Sequence, residues 1–170
     1  LYTVTCGTDA RRVTIETSAR AVVYGVAAHT VVGTTDATLS QGSHYDAERG
    51  VFVIASIDGP LIDLYTPSVT VSSGDLARAT RLGFTFRNRS ESDLDFRVKL
   101  VTTAGEIELE TEYCRAGEAY AVEIILPTDI DMRTVTAVRI TFDNVVQEGN
   151  DFVLAPDRVF TLSDLWLELQ

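Results

Sequence analysis

Apolar and polar positions alternate through much of the second half of the chain. Leu82, Phe84 and Phe86 alternate with Gly83, Thr85 and Arg87, and Leu94, Phe96, Val98 and Leu100 alternate with Asp95, Arg97 and Lys99. A period of two residues marks a strand with one buried and one solvated face. The step Thr102-Thr103-Ala104-Gly105 then leads into Ile107, Leu109, Thr111 and Tyr113 set against Glu106, Glu108, Glu110 and Glu112, which predicts a hairpin with an apolar and a charged face. On that parity Tyr113, and Tyr120 after it, belong to the core. Val122, Ile124 and Leu126 continue the pattern until Pro127 stops it, and Val138, Ile140 and Phe142 repeat it. The last run, Thr161 to Leu169, sets Leu165, Leu167 and Leu169 on one side and Asp164, Trp166 and Glu168 on the other.

The first half is less regular, with strand-like pieces at Tyr2 to Cys6, Val13 to Glu16, Ala21 to Val26, Val51 to Ile57, Leu61 to Tyr65 and Ser68 to Ser72. That makes ten or eleven short strands and almost no helical period. Val, Thr and Ile, at 20, 21 and 9 residues, supply the β-branched side chains that a pleated surface favours. The economical architecture is all-β: a single domain over 1–170, two antiparallel sheets packed as a β-sandwich or jelly roll. Two stretches read as long polar loops, Gly33 to Gly50 and Asn144 to Asp157. Loops of that length often carry function.

Composition excludes several classes. At 45% hydrophobic and 23% charged residues, the chain is neither disordered nor a disulfide-dense miniprotein. A net charge of -11 repels nucleic acid and anionic membranes. No apolar run approaches the roughly 18 residues of a membrane span. The start has neither an initiator Met nor a basic-then-apolar leader, which reads as a domain excised from a longer protein. Cys6 and Cys114 either close one long-range disulfide in an oxidising compartment or serve as two small buried apolar residues.

Catalytic signatures are missing. No P-loop, HExxH, GxSxG or zinc-type Cys/His spacing occurs. His29 and His44 are the only histidines, and His44-Tyr45 makes a poor acid–base pair because neighbours on an extended chain point apart. With 25 acidic residues, carboxylate pairs arise by chance and discriminate nothing. The set Arg97, Lys99, Glu108, Glu110, Glu123 and Arg139 reads as a solvated sheet face with cross-strand ion pairs. Asn88-Arg89-Ser90 matches a glycosylation sequon but reads as the polar end of a strand.

From Leu82 onward the order of features is more specific. A strand ending in an Asn-x-Ser step, then LDFRVKLVTTAGE, AGEAYAVEIILP, DIDMRTVTAVRITFDN and finally FTLSDLWLEL follow one another. This order resembles the galactose-binding-like jelly rolls that serve as carbohydrate-binding modules and as accessory domains of polysaccharide-degrading enzymes, whose closing strand follows a long loop. The resemblance spans about 90 residues, Leu82 to Leu169. It implies a structural calcium ion, for which Asp164 matches one ligand position and Glu16 stands in for an early acidic partner.

A saccharide is amphipathic, so its recognition asks for a flat aromatic side chain beside a few polar groups. Trp166 is the only tryptophan and shares its side of the strand with Asp164 and Glu168. Tyr45, in the first polar loop, is the tyrosine best placed to join it, ahead of Tyr24, Tyr65, Tyr113 and Tyr120. The expectation is therefore a non-catalytic, secreted or cell-surface module that tethers an appended enzyme to a polysaccharide, with Trp166 stacking and Tyr45, Asp164 and Glu168 binding hydroxyls. The alternatives are a structural or interaction sandwich without a glycan site and, more remotely, a small jelly-roll lyase or hydrolase.

Overall fold

The fold was obtained as a computed structural model. It describes the backbone of 2–6, 11–15, 21–23, 26–31, 145–148 and 151–154, and side chains as well at 37–57, 66–143, 149–150, 155 and 157–169. The strands, in chain order, are β1 (Tyr2–Cys6), β2 (Arg11–Ile15), β3 (Ala21–Val23), β4 (Val26–Val31), β5 (Ala37–Leu39), β6 (His44–Asp46), β7 (Val51–Ala55) and β8 (Ser68–Val71). They continue as β9 (Ala79–Asn88), β10 (Leu94–Thr102), β11 (Gly105–Cys114), β12 (Ala119–Ile125), β13 (Val135–Phe142), β14 (Val145–Glu148), β15 (Asp151–Leu154) and β16 (Val159–Leu169). Single 3-10 turns at Gly74–Arg78 and Met132–Thr134 precede β9 and β13.

These strands form two main antiparallel sheets. One has five strands in the order β11-β10-β13-β8-β5; the other has seven, β12-β9-β16-β4-β3 with the β6–β7 hairpin on β16. Two further hairpins, β1–β2 and β14–β15, stand outside them. The predicted sandwich is what the chain builds. Both stretches expected to be loops contain strands instead: β5 and β6 lie within Gly33–Gly50, and β14–β15 within Asn144–Asp157. Three- and four-residue strands are too short to show a period. The predicted strand Leu61–Tyr65 falls outside the described residues.

The core lies between the facing sheets. Phe86 stacks on Phe96 across the gap at 4.1 Å between ring centroids, and Phe160 meets Phe142 edge-on at 4.9 Å. All four rings are essentially fully buried. Offset and edge-to-face pairs of this kind add about 0.5–1.5 kcal/mol each beyond their area. One inner row of the seven-stranded sheet reads Tyr45, Phe52, Leu162, Phe86, Tyr120 across five strands. Both tyrosines sit at the sheet's edges and stay exposed, Tyr120 at 36%, so it is not the core residue that parity implied.

Tyr113 departs further from expectation. On β11, Val98 pairs with Glu110 but Lys99 pairs with Glu108, so Leu109 is an extra residue and the strand bulges there. A one-residue slip exchanges the faces. Glu110 and Glu112 therefore stand opposite the buried Val98 and Phe96, while Tyr113 turns to the outer face and is 53% exposed. Cys114 follows Glu112 onto the inner side, where it is buried as a free thiol; the side chain of Cys6 lies outside the described residues.

Asn88 ties one end of the sandwich together. It is fully buried, and its side chain donates to the carbonyls of Ser92 and Cys114 at 2.9 and 3.1 Å and accepts from the Ser90 amide at 2.9 Å. The sequon is thus structural, a strand end whose amide has no accessible nitrogen.

Candidate functional site

The outer face of the seven-stranded sheet is organised by a bulge in its central strand. Ser163 pairs with Thr85, but Trp166 rather than Leu165 pairs with Gly83. Asp164 absorbs the extra residue with a left-handed φ of 53°. Before the bulge, Phe160 and Leu162 point inward; after it, Leu165 and Leu167 do. Trp166 and Glu168 consequently face out, in the rows Val31–Trp166–Gly83–Glu123 and His29–Glu168–Arg81–Ile125.

Gly83 is what lets Trp166 lie flat on the sheet. A Cβ there would overlap Cζ2 and Cε2 of the indole and lie 2.6 Å from Nε1. The ring covers the glycine, which is buried despite facing outward, and Trp166 itself is half-buried. Beside it, Arg81 reaches Glu123 at 2.6 Å and Glu168 at 3.7 Å. The result is an aromatic plate bordered by one cation between two carboxylates.

Where this face meets the end of the sheet, a cleft of about 560 Å³ opens. The start of β9 and the preceding 3-10 turn bring Arg78, Thr80 and Arg81, and β16 brings Glu168. The rest of the lining comes from the end of β12 and the connection to β13, with Ile125, Pro127, Ile130 and Met132. Asp131, also in that connection, is held by Arg133 through Nε and Nη2, both at 2.9 Å, and this guanidinium keeps its carboxyl below the usual range.

The expected site residues thus divide. Trp166 and Glu168 share the outer face, and Asp164 sits exposed at the bulge, accepting a 2.8 Å hydrogen bond from the Ser163 hydroxyl. Tyr45 lies elsewhere: it pairs with Phe52 on the inner side of an edge strand, with ring centroids 5.2 Å apart. Its neighbour His44 pairs with Val53, on the opposite face, so the two do not converge. Arg81, Glu123 and the cleft were missed because only the register of three strands brings them to Trp166. Among the described residues no group of three His, Cys, Asp or Glu stands together as a metal site. Of the calcium ligands that the resemblance implies, Asp164 is described, and Glu16 lies outside the described residues.

A second polar surface covers the five-stranded sheet. Arg97 pairs with Asp143 at 2.6 Å, and Lys99 and Arg139 both reach Glu106, at 3.2 and 3.0 Å. Burial raises the Glu106 pKa, but the hydrogen bonds from Arg139 and Lys99 outweigh it and hold the carboxyl below its usual range. Tyr113 stands at one corner, its hydroxyl donating to Asp93. The charged set read from the sequence does not form one face: Glu110 is on the inner side of β11, and Glu123 belongs to the other sheet. Burial, followed by the hydrogen bond and charge of Glu112, pushes the Glu110 pKa up.

No family model and no curated protein matches the chain. Solved structures do. They include a family 29 carbohydrate-binding module (TM-score 0.53, 13% identity, 82% of this chain and 86% of that one). A variant of such a module complexed with mannohexaose gives a TM-score of 0.53 at 14% identity over 83% of this chain and 91% of that one, and one complexed with cellulohexaose 0.54 at 13% over 82% and 89%. At this identity the likeness is one of architecture: the chain has the two-sheet fold seen in family 29 carbohydrate-binding modules.

Proposed function

We propose that the chain is a non-catalytic carbohydrate-binding module, secreted or displayed at the cell surface, that holds an appended catalytic domain near a polysaccharide. The observation that carries this reading is the sandwich shared with carbohydrate-binding modules over 82% of the chain. Tethering acts by raising the local concentration of the enzyme at its polymer.

Trp166 is the stacking plate in this reading. A pyranose ring offers a C–H face to an aromatic plane and hydroxyls around its rim, and Arg81, Glu123, Glu168 and Asp164 supply charged partners for those hydroxyls. Tyr45 is left out, since it is on the other side of the sheet. The test is a retention screen of the folded domain on soluble and insoluble β-glucans and mannans, with calcium and with chelator. Retention lost in Trp166→Ala supports module and site together. Dependence on calcium would bring in the metal implied by the jelly-roll resemblance, and silence across the panel would favour an interaction domain.

One observation favours a second location for the same function. The neighbouring modules include variants made to probe ligand recognition, in which lysine, arginine, aspartate and tyrosine residues were replaced. Here the outer face of the five-stranded sheet carries Arg97, Lys99, Arg139 and Tyr113. Loss of retention in Tyr113→Ala and Arg139→Ala, with Trp166→Ala unaffected, would move the site there.

A further inference from the structure

The geometry points to the cleft beyond Trp166 as a second sugar subsite, so that the module grips several consecutive pyranose units of a linear chain; this rests on the carbohydrate-binding reading with Trp166 as its plate. Three observations carry it. The first is continuity. Glu168 is two residues along β16 from Trp166, about 6.7 Å at a rise of roughly 3.3–3.4 Å per residue. Glu168 and its cross-strand partner Arg81 both line the cleft. A ring lying on Trp166 therefore has its next neighbour along the strand at the cleft mouth.

The second observation is the division of the walls. The lining from β9, its preceding turn and β16 carries Arg78, Arg81 and Glu168 beside two alanines, and the lining from the end of β12 and the following connection is mostly apolar, with Thr128 and Asp131 as its polar members. Ile125 is 70% exposed there, the highest value among the large apolar residues described as exposed. That split matches a saccharide, whose hydroxyl rim and C–H face are presented in different directions. Size is the third. At about 560 Å³ the cleft falls within the range of roughly 300–1,000 Å³ typical of ligand sites.

The charges limit the class of chain. Arg81 is already engaged by two carboxylates, and Asp131 is matched by Arg133. With Arg78, which also lines the cleft, the three cations Arg78, Arg81 and Arg133 face the three carboxylates Glu123, Glu168 and Asp131, so plate and cleft carry no net positive charge for a uronate or a sulfate ester, and the occupant is an uncharged glycan.

The experiment is calorimetric titration of the chain with cellohexaose, mannohexaose and the corresponding disaccharides, repeated with Ile125→Ser, Met132→Ser and Trp166→Ala. Ile125 is too exposed for its replacement to disturb the core, and thermal unfolding of each variant checks that. At least one hexaose is expected to bind about tenfold or more tightly than its disaccharide, a difference of about 1.4 kcal/mol. Ile125→Ser and Met132→Ser should shrink that advantage to about twofold and leave the disaccharide unchanged, while Trp166→Ala weakens both. A hexaose advantage preserved in both cleft variants overturns the second subsite and leaves the module reading standing. Failure of the unmodified chain to bind either hexaose overturns both.

Discussion

Replacing Gly83 by Ala tests the contact on which the Trp166 face is built. The added Cβ cannot coexist with the indole where it lies, so the ring must swing off the sheet. A tryptophan buries about 150–250 Å². If roughly 100 Å² of that is the face laid on the sheet, losing it costs about 2.5 kcal/mol at 25 cal/mol per Å². Exchanging a strand glycine for alanine returns about 0.5–1 kcal/mol of backbone entropy. The net loss is about 1.5–2 kcal/mol, equivalent to about 3–8 °C in Tm for a chain of this length. With the ring gone, in a Trp166→Ala background, the same substitution should stabilise by about 0.5–1 kcal/mol. A double-mutant cycle by urea denaturation reads this change of sign, and the coupling of about 2.5 kcal/mol stands well clear of the roughly 0.5 kcal/mol scatter of independent sites. Trp166 is the only tryptophan, so its emission should also move to the red in Gly83→Ala. Equal effects of Gly83→Ala in the two backgrounds, with unchanged emission, would refute the flat packing.

Asn88→Ala should cost about 2 kcal/mol or more in denaturant melts, because it strands two buried hydrogen-bonding groups, the Cys114 carbonyl and the Ser90 amide, and expression in a glycosylating host should return the unmodified mass. Glu110 has a folded pKa above its usual value, so the stability it contributes is present below the ordinary glutamate pKa of about 4.3 and is lost as pH rises through the raised value. Glu110→Gln should therefore raise Tm at pH 7 and flatten its fall between acid and neutral pH; an unchanged profile would place Glu110 in open solvent. Burial raises the Cys114 thiol pKa, so in a Cys6→Ser variant the thiol should resist a disulfide reagent until denaturant is added, and rapid labelling of the native chain would contradict its position. Asp164→Gly should keep the fold and gain about 1 kcal/mol by relieving a positive φ, whereas deleting residue 164 should prevent folding, both read by circular dichroism and thermal melts.

Most of the sheet framework was legible from alternation, because a strand between a core and solvent records its two faces directly in the chain. Leu82–Phe86, Leu94–Leu100 and Val138–Phe142 all face as read. The failures of facing within a strand come from bulges, unlike Tyr120, which an edge strand exposes, and the short strands, which show no period. Bulges change the phase locally: the one at Leu109 exchanged the faces of β11 beyond it, put Tyr113 outside and turned Glu110 and Glu112 toward the inter-sheet side, while Ile107 before it faces as read. The change of phase in β16 was visible in retrospect, since Phe160 and Leu162 are even-numbered and Leu165 and Leu167 odd. The candidate site was half legible. Trp166 and Glu168 share a strand and a parity, but Gly83, Arg81 and Glu123 reach them only through pairing across β9 and β12, which no local pattern encodes.

The bulge at Asp164 also bears on how such a chain can change over time. The two halves of β16 are out of phase with each other, and each half is locked to different neighbours, β7 before the bulge and β4 after it, with β9 along both. What the fold requires at this point is a number of residues, three steps from Leu162 to Leu165, more than any particular side chain. Residues that accept a left-handed backbone can replace one another at 164, while a single insertion or loss would turn the tryptophan inward and the leucines out. Substitution should therefore be cheap here and a change of length prohibitive, the reverse of what an exposed aspartate in a polar stretch would suggest.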